Sequence, residues 1–209
     1  MPKSLFIHRS VGKHLLRYGR LRSLLNTQGV SLDDYNNNDG LLTRNDGSTV
    51  SNVIEMPGNN TNPDNLADFF KSWPDILNDY DLIMIKSCYP NSHVKDKAQL
   101  MTIKISYTSI IDSFNKHNKA LLILTTPPLR PPFTNPTEAK LANELADWLV
   151  SQAQGNVHVF DLHHLYAADS GKHKGMLKLK YRRLLPWDNH PNRWAHRVAA
   201  PKIVDMINT

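Results

Sequence analysis

Two nearly uninterrupted apolar runs, Asp81-Leu-Ile-Met-Ile-Lys86 and Ala120-Leu-Leu-Ile-Leu-Thr125, constrain this chain more than any other feature. A strand with one wet face alternates polar and apolar residues. A strand without alternation is buried on both faces, as in a parallel sheet covered by helices. Helical spacing appears around both runs. Residues 96 to 117 place Leu100, Ile103, Tyr107, Ile110, Ile111 and Phe114 on one face. Val11, Leu15, Leu16, Leu21, Leu24 and Leu25 mark one helix that ends before Gly29. Asn62 and Pro63 open a short helix bearing Leu66, Phe69 and Phe70, with Asn62 as its cap. A further helix runs from Thr137 to about Gln154, and the last carries Trp194, Val198, Ile203, Val204 and Ile207. Leu5-Phe6-Ile7 and Asn156-Val-His-Val-Phe-Asp161 supply two more strands. Residues 31 to 64, rich in Asn, Asp, Gly and Thr, read as a long surface loop whose one strand candidate is Val53-Ile54-Glu55-Met56. The alternation predicts a single α/β domain over residues 1–209, three layers deep, around a mainly parallel sheet of five strands.

Composition narrows the function classes. A formal net charge of +6 attracts anions, but the basic residues are dispersed, with local clusters only at Arg17–Arg22 and Lys172–Arg183. No RNA-binding signature, zinc-finger spacing or aromatic-interleaved basic repeat appears, so nucleic acid is disfavoured as a partner. The single cysteine, Cys88, rules out an intrachain disulfide framework and reads as a buried apolar thiol. No 18-residue apolar run is present, and the apolar stretch near the N-terminus is too short for a signal peptide. The expectation is a soluble, intracellular protein without a membrane partner, a removed leader being left open. Oligomeric state is not legible.

The residues with chemistry lie at predicted strand ends, where an open parallel sheet gathers its functional groups. Ser10 follows the first strand in Ile7-His8-Arg9-Ser10-Val11-Gly12. Asn91 follows the Leu82 run, and Thr126 follows the Leu121 run. Asp188 and His190 lie in Trp187-Asp188-Asn189-His190-Pro191-Asn192, after the last strand and before the last helix. An acid two residues before a histidine can take the Nδ1 proton and leave Nε2 to accept one from a nucleophile. Ser10 Oγ is the candidate nucleophile. Its backbone N–H, the Asn91 amide and Gly58 N–H are the candidate oxyanion donors. Plainer readings stand beside these: Ser10 as a helix N-cap, Asn91 as a turn residue after Pro90, and His8 as a packed strand-end histidine. His158, His163, His164 and His173 match no common ligand spacing, so no metal is expected.

Together, His8-Arg9-Ser10-Val11-Gly12, Lys86-Ser-Cys-Tyr-Pro-Asn91-Ser, Thr126-Pro-Pro and Asp188-Asn-His190-Pro-Asn192 resemble the SGNH hydrolases, also called GDSL-like esterases and lipases. The resemblance spans residues 5 to 195, with His-x-Ser in place of the usual Gly-Asp-Ser and no Gly-x-Asn-Asp around Asn91. It implies a flavodoxin-like α/β/α fold and a Ser10–His190–Asp188 mechanism. It further implies hydrolysis or transfer of a small ester-linked acyl group, with carbohydrate esters as the leading substrate, without metal or organic cofactor. The alternative is a non-catalytic protein of this fold that holds an anionic or carbohydrate ligand in the same cleft.

Overall fold

The computed structural model describes residues 2–57, 61–87 and 92–208. The two apolar runs form β5 (Leu82–Lys86) and β6 (Ala120–Leu124), neighbouring interior strands of a seven-stranded sheet. Around them lie β1 (Lys3–His8), β2 (Ser31–Asn36), β3 (Leu41–Thr43), β4 (Thr49–Ser51) and β7 (Val157–Phe160), in the order β4-β3-β2-β1-β5-β6-β7. The five strands from β2 to β7 in that order are parallel. β3 and β4 add an antiparallel edge beyond β2. The sheet thus has seven strands where the sequence suggests five, and β2 is among its parallel strands in place of Val53–Met56.

Successive side chains of a strand leave on opposite faces, so each central strand feeds two cores. Leu5, Ile7, Ile83 and Ile85 pack with residues of α3 (Pro63–Ser72), α4 (Lys97–His117) and α5 (Pro136–Ser151). Phe6, Met84 and Leu122 pack on the other face, with residues of α1 (Ser10–Arg17), α2 (Leu21–Thr27), α6 (Leu162–Tyr166) and α7 (Arg193–Ile207). The result is an α/β/α sandwich.

Three expectations need correction. The helix expected from Val11 to Gly29 is two, broken at Tyr18-Gly19-Arg20, where Arg20 is left-handed with φ 57°. The break lies where α7 crosses: a Cβ on Gly19 would sit 2.8 Å from both the His196 carbonyl oxygen and Ala200 Cβ. Asn62 occupies the N-cap position of α3 but makes no side-chain capping bond. Finally, residues 31 to 64 are not a plain loop, for they hold β2, β3 and β4, while Val53–Met56 is not in a strand. Ile54 is nevertheless buried against the α3–α4 core, which explains the apolar residue there.

β2 hides from pattern reading because Ser-Leu-Asp-Asp-Tyr-Asn looks like a turn, yet Leu32 to Asn36 are buried. Its two carboxylates are buried because each has partners. Asp33 accepts from the Tyr80 hydroxyl at 2.9 Å and the Asn45 N–H at 2.8 Å. Asp34 accepts from His8 Nε2 at 2.9 Å and from the Arg22 guanidinium. Replacing Asp34 with Ala strands His8 and Arg22 without their carboxylate. We expect a loss of about 3–5 kcal/mol in urea unfolding, against less than about 0.5 kcal/mol for the exposed Glu55→Ala. An Asp34→Ala loss as small as that of Glu55→Ala would contradict this account of β2.

Candidate active site

The turn from β1 into α1 sets the first half of the site. His8 ends β1 fully buried, with Nε2 on Asp34 and Nδ1 3.0 Å from the Arg9 carbonyl. It is a packed strand-end histidine. Gly12 sits directly on it: a Cβ there would come 2.3 Å from His8 Cβ, so only glycine lets α1 settle so close to the strand. Arg9 occupies the N-cap position, and Ser10 is the first helical residue, half-buried, so its hydroxyl is not the cap. The first amide bonded back along the chain here is Lys13 N–H, to the Arg9 carbonyl at 3.1 Å. The preceding N–H groups, Ser10's included, have no intrahelical acceptor, as at any helix start.

The second half is the loop before α7. Asp188 Oδ1 accepts from His190 Nδ1 at 2.8 Å and from the His190 backbone N–H at 2.9 Å. Arg183 Nη1 donates to Asp188 Oδ2 at 2.8 Å. With its Nδ1 proton given to a carboxylate, the His190 ring carries an acceptor at Nε2. Burial pushes the Asp188 carboxyl up, but the two His190 bonds and the Arg183 charge outweigh it and hold it below the usual carboxylate range. The pair is half-exposed, with 32% of the His190 side chain accessible.

The two halves meet. His14 lies one turn after Ser10 on α1, hence on the same helix face. Its ring stands 5.4 Å from that of His190, edge-on at 79°. Arg183 Nη2 donates to the His14 ring, 3.2 Å from Nδ1. On its other side His14 lies 5.4 Å from the ring of His196 on α7. The helix that begins with Ser10 and the loop that holds Asp188 and His190 are therefore in contact, though they come from opposite ends of the chain.

Thr126, after β6, is buried, and its carbonyl accepts from His163 Nδ1 at 3.3 Å, so it packs against α6. Asn91, Gly58 and Cys88 lie outside the described residues. Among the described residues, no group of three or more His, Cys, Asp or Glu is arranged to hold a metal ion, and no helix is long and apolar enough to cross a membrane.

Sequence reading missed two supports of the base loop. Arg183 holds both Asp188 and His14. Arg130, in the Pro-rich loop after β6, donates its N–H to Asn189 Oδ1 at 3.2 Å and its Nη1 to the Arg183 and Leu185 carbonyls, each at 3.0 Å. Their partners are five and more than fifty positions away, so no short motif reveals them. A third missed group, Lys86, did carry a signal as a cation ending an apolar run. It is buried, with Nζ donating to the Ser87 carbonyl at 2.6 Å.

No family model matches the sequence, and no curated protein matches it. Solved structures do match over nearly the whole chain. An acylhydrolase candidate from Bacteroides fragilis superposes with a TM-score of 0.64 at 15% identity, covering 99% of this chain and 86% of its own. A GDSL-like lipase from Bacteroides thetaiotaomicron gives 0.57 at 9% identity, covering 98% and 88%. A carbohydrate esterase family 3 protein from Talaromyces cellulolyticus gives 0.57 at 13% identity, covering 100% and 99%. The chain has the SGNH-hydrolase fold.

Burial leaves a pH signature at the site and beside it. It is the largest factor pushing the histidines down: His14 to about 4, helped by Arg183 and His190; His163 to about 4; and His196 to about 3. Their folded values lie below the unfolded value near 6.5, so the unfolded chain takes up their protons first. Stability from these groups is complete above pH 6.5 and declines as pH falls toward 4. We expect the urea midpoint to drop between about pH 6.5 and 5, above the range where most carboxylates titrate. Each histidine contributes at most about 1.4 kcal/mol per pH unit, and His196→Leu makes the decline shallower. A midpoint constant over that window would contradict this reading.

Proposed function

We propose that the protein is a serine hydrolase that cleaves a small ester-linked acyl group, with Ser10 as nucleophile, His190 as base and Asp188 as its orienting carboxylate. The observation that carries this reading is the Asp188–His190 pair held against the helix that Ser10 begins. His190 Nε2 accepts the Ser10 proton as Oγ attacks the acyl carbon. The same proton then passes to the departing alcohol oxygen, and the second half-reaction repeats the transfer with water. Asp188 keeps Nδ1 as the donor and balances the imidazolium that forms. Ser10 N–H, at the start of α1, faces the developing oxyanion, with the Asn91 amide and Gly58 N–H as further donors. Arg183 fixes Asp188 from the far side, so the carboxylate stays ionised and aimed. The carbohydrate esterase with the same fold favours an acyl group on a sugar as the substrate class, with water as acceptor.

Hydrolysis of p-nitrophenyl acetate tests the reading. Ser10→Ala and His190→Ala are each expected to lower kcat by on the order of a thousandfold or more, and the double variant by little beyond either, because the two act as a unit. Activity that survives in Ser10→Ala would place the nucleophile elsewhere. Absence of activity in the wild type, with acetylated sugars also left intact, would favour a ligand-binding role for the cleft. Arg183→Gln keeps Ser10 and His190 but loosens the carboxylate. We expect kcat to fall by up to about a hundredfold with a smaller change in KM. An unchanged kcat would remove Arg183 from the positioning of Asp188.

A further inference from the structure

Among the described residues, the exposed large apolar side chains are unevenly placed. Five of the eight lie between positions 179 and 194: Leu179, Leu184, Leu185, Trp187 and Trp194. Leu184 is fully exposed and Trp187 is 71% exposed. The stretch is not loose chain. Asn192 Nδ2 donates to the Lys180 and Arg182 carbonyls at 2.8 and 3.1 Å, and Asn192 N–H donates to the Tyr181 carbonyl at 2.8 Å, drawing the loop into a ring. Arg130 and Arg183 pin it from beneath. A held loop that turns leucines and tryptophans outward has apolar surface to cover.

Its charge says what covers it. From residue 172 to residue 197 the sequence has eight Lys or Arg and one acid, Asp188, already bonded to Arg183 and His190. A second copy of the chain would bring the same cations face to face. Single-stranded nucleic acid offers stacking for the tryptophans but no apolar partner for the leucines. An anionic bilayer offers both, acyl chains for leucine and tryptophan and headgroup charge for lysine and arginine. Such docking needs no spanning helix.

We propose that the 179–194 loop and the start of α7 form a docking face for anionic lipid surfaces, with Leu184 and Trp187 as the inserting side chains. This goes beyond the hydrolase reading and does not depend on it, since the readout is binding alone. The test is co-sedimentation of the full chain with vesicles of phosphatidylglycerol or of phosphatidylcholine. Strong binding is expected to phosphatidylglycerol, weak binding to phosphatidylcholine, and release by salt. Leu184→Ser with Trp187→Ser should cut the phosphatidylglycerol partition coefficient at least about tenfold. Lys180→Glu with Arg197→Glu should cut it at least about fivefold per residue. Circular dichroism and thermal midpoint identify a variant that has lost its fold, and the pair of variants keeps one informative if the other fails. No binding to phosphatidylglycerol would overturn the proposal, as would binding that neither variant weakens. Self-association or oligonucleotide binding through these residues, without vesicle binding, would assign the face to a different occupant and overturn it equally.

Discussion

The β1–α1 turn depends on a single buried carboxylate. Asp34 on β2 takes His8 on one side and Arg22 on the other, tying the end of the first strand to the second strand and to α2. A charge buried this far costs several kcal/mol if left alone, so the three groups stand or fall together. Gly12 completes the arrangement by leaving room for His8 beneath α1. This packing fixes where β1 ends and α1 begins, and Ser10 is the first residue of α1.

The same trio of groups recurs near the other end of the chain with a different consequence. His190, Asp188 and Arg183 repeat the histidine–carboxylate–guanidinium chain of His8, Asp34 and Arg22. Burial separates them. His8 is sealed, its nitrogens facing Asp34 and a backbone carbonyl, whereas His190 is half-exposed. One chain stabilises the fold. The other is the proposed base, and its support from Arg183 and Arg130 gives it a fixed place despite lying in a long irregular stretch.

How much of this the sequence reveals follows from how local each cause is. β5 and β6 are legible because a strand buried on both faces writes its burial directly into its composition. The Asp188–His190 pair is legible because the carboxylate and the ring are two residues apart. β2 is not, since its buried carboxylates are made tolerable by Lys3, His8, Arg22 and Tyr80, none of them near it in sequence. Nor is the break at Gly19, which answers to α7 nearly two hundred residues later. The leucines and tryptophans of the 179–194 loop are visible as letters, but only the structure shows that they face outward.

In the proposed mechanism an imidazole from near the end of the chain activates a hydroxyl from near its beginning. Covalent labelling with a fluorophosphonate, followed by peptide mapping, measures this most directly. The account predicts one adduct per chain, on Ser10, formed slowly or not at all in His190→Ala although Ser10 remains. Labelling at another residue, or labelling of Ser10 at the same rate without His190, would contradict it.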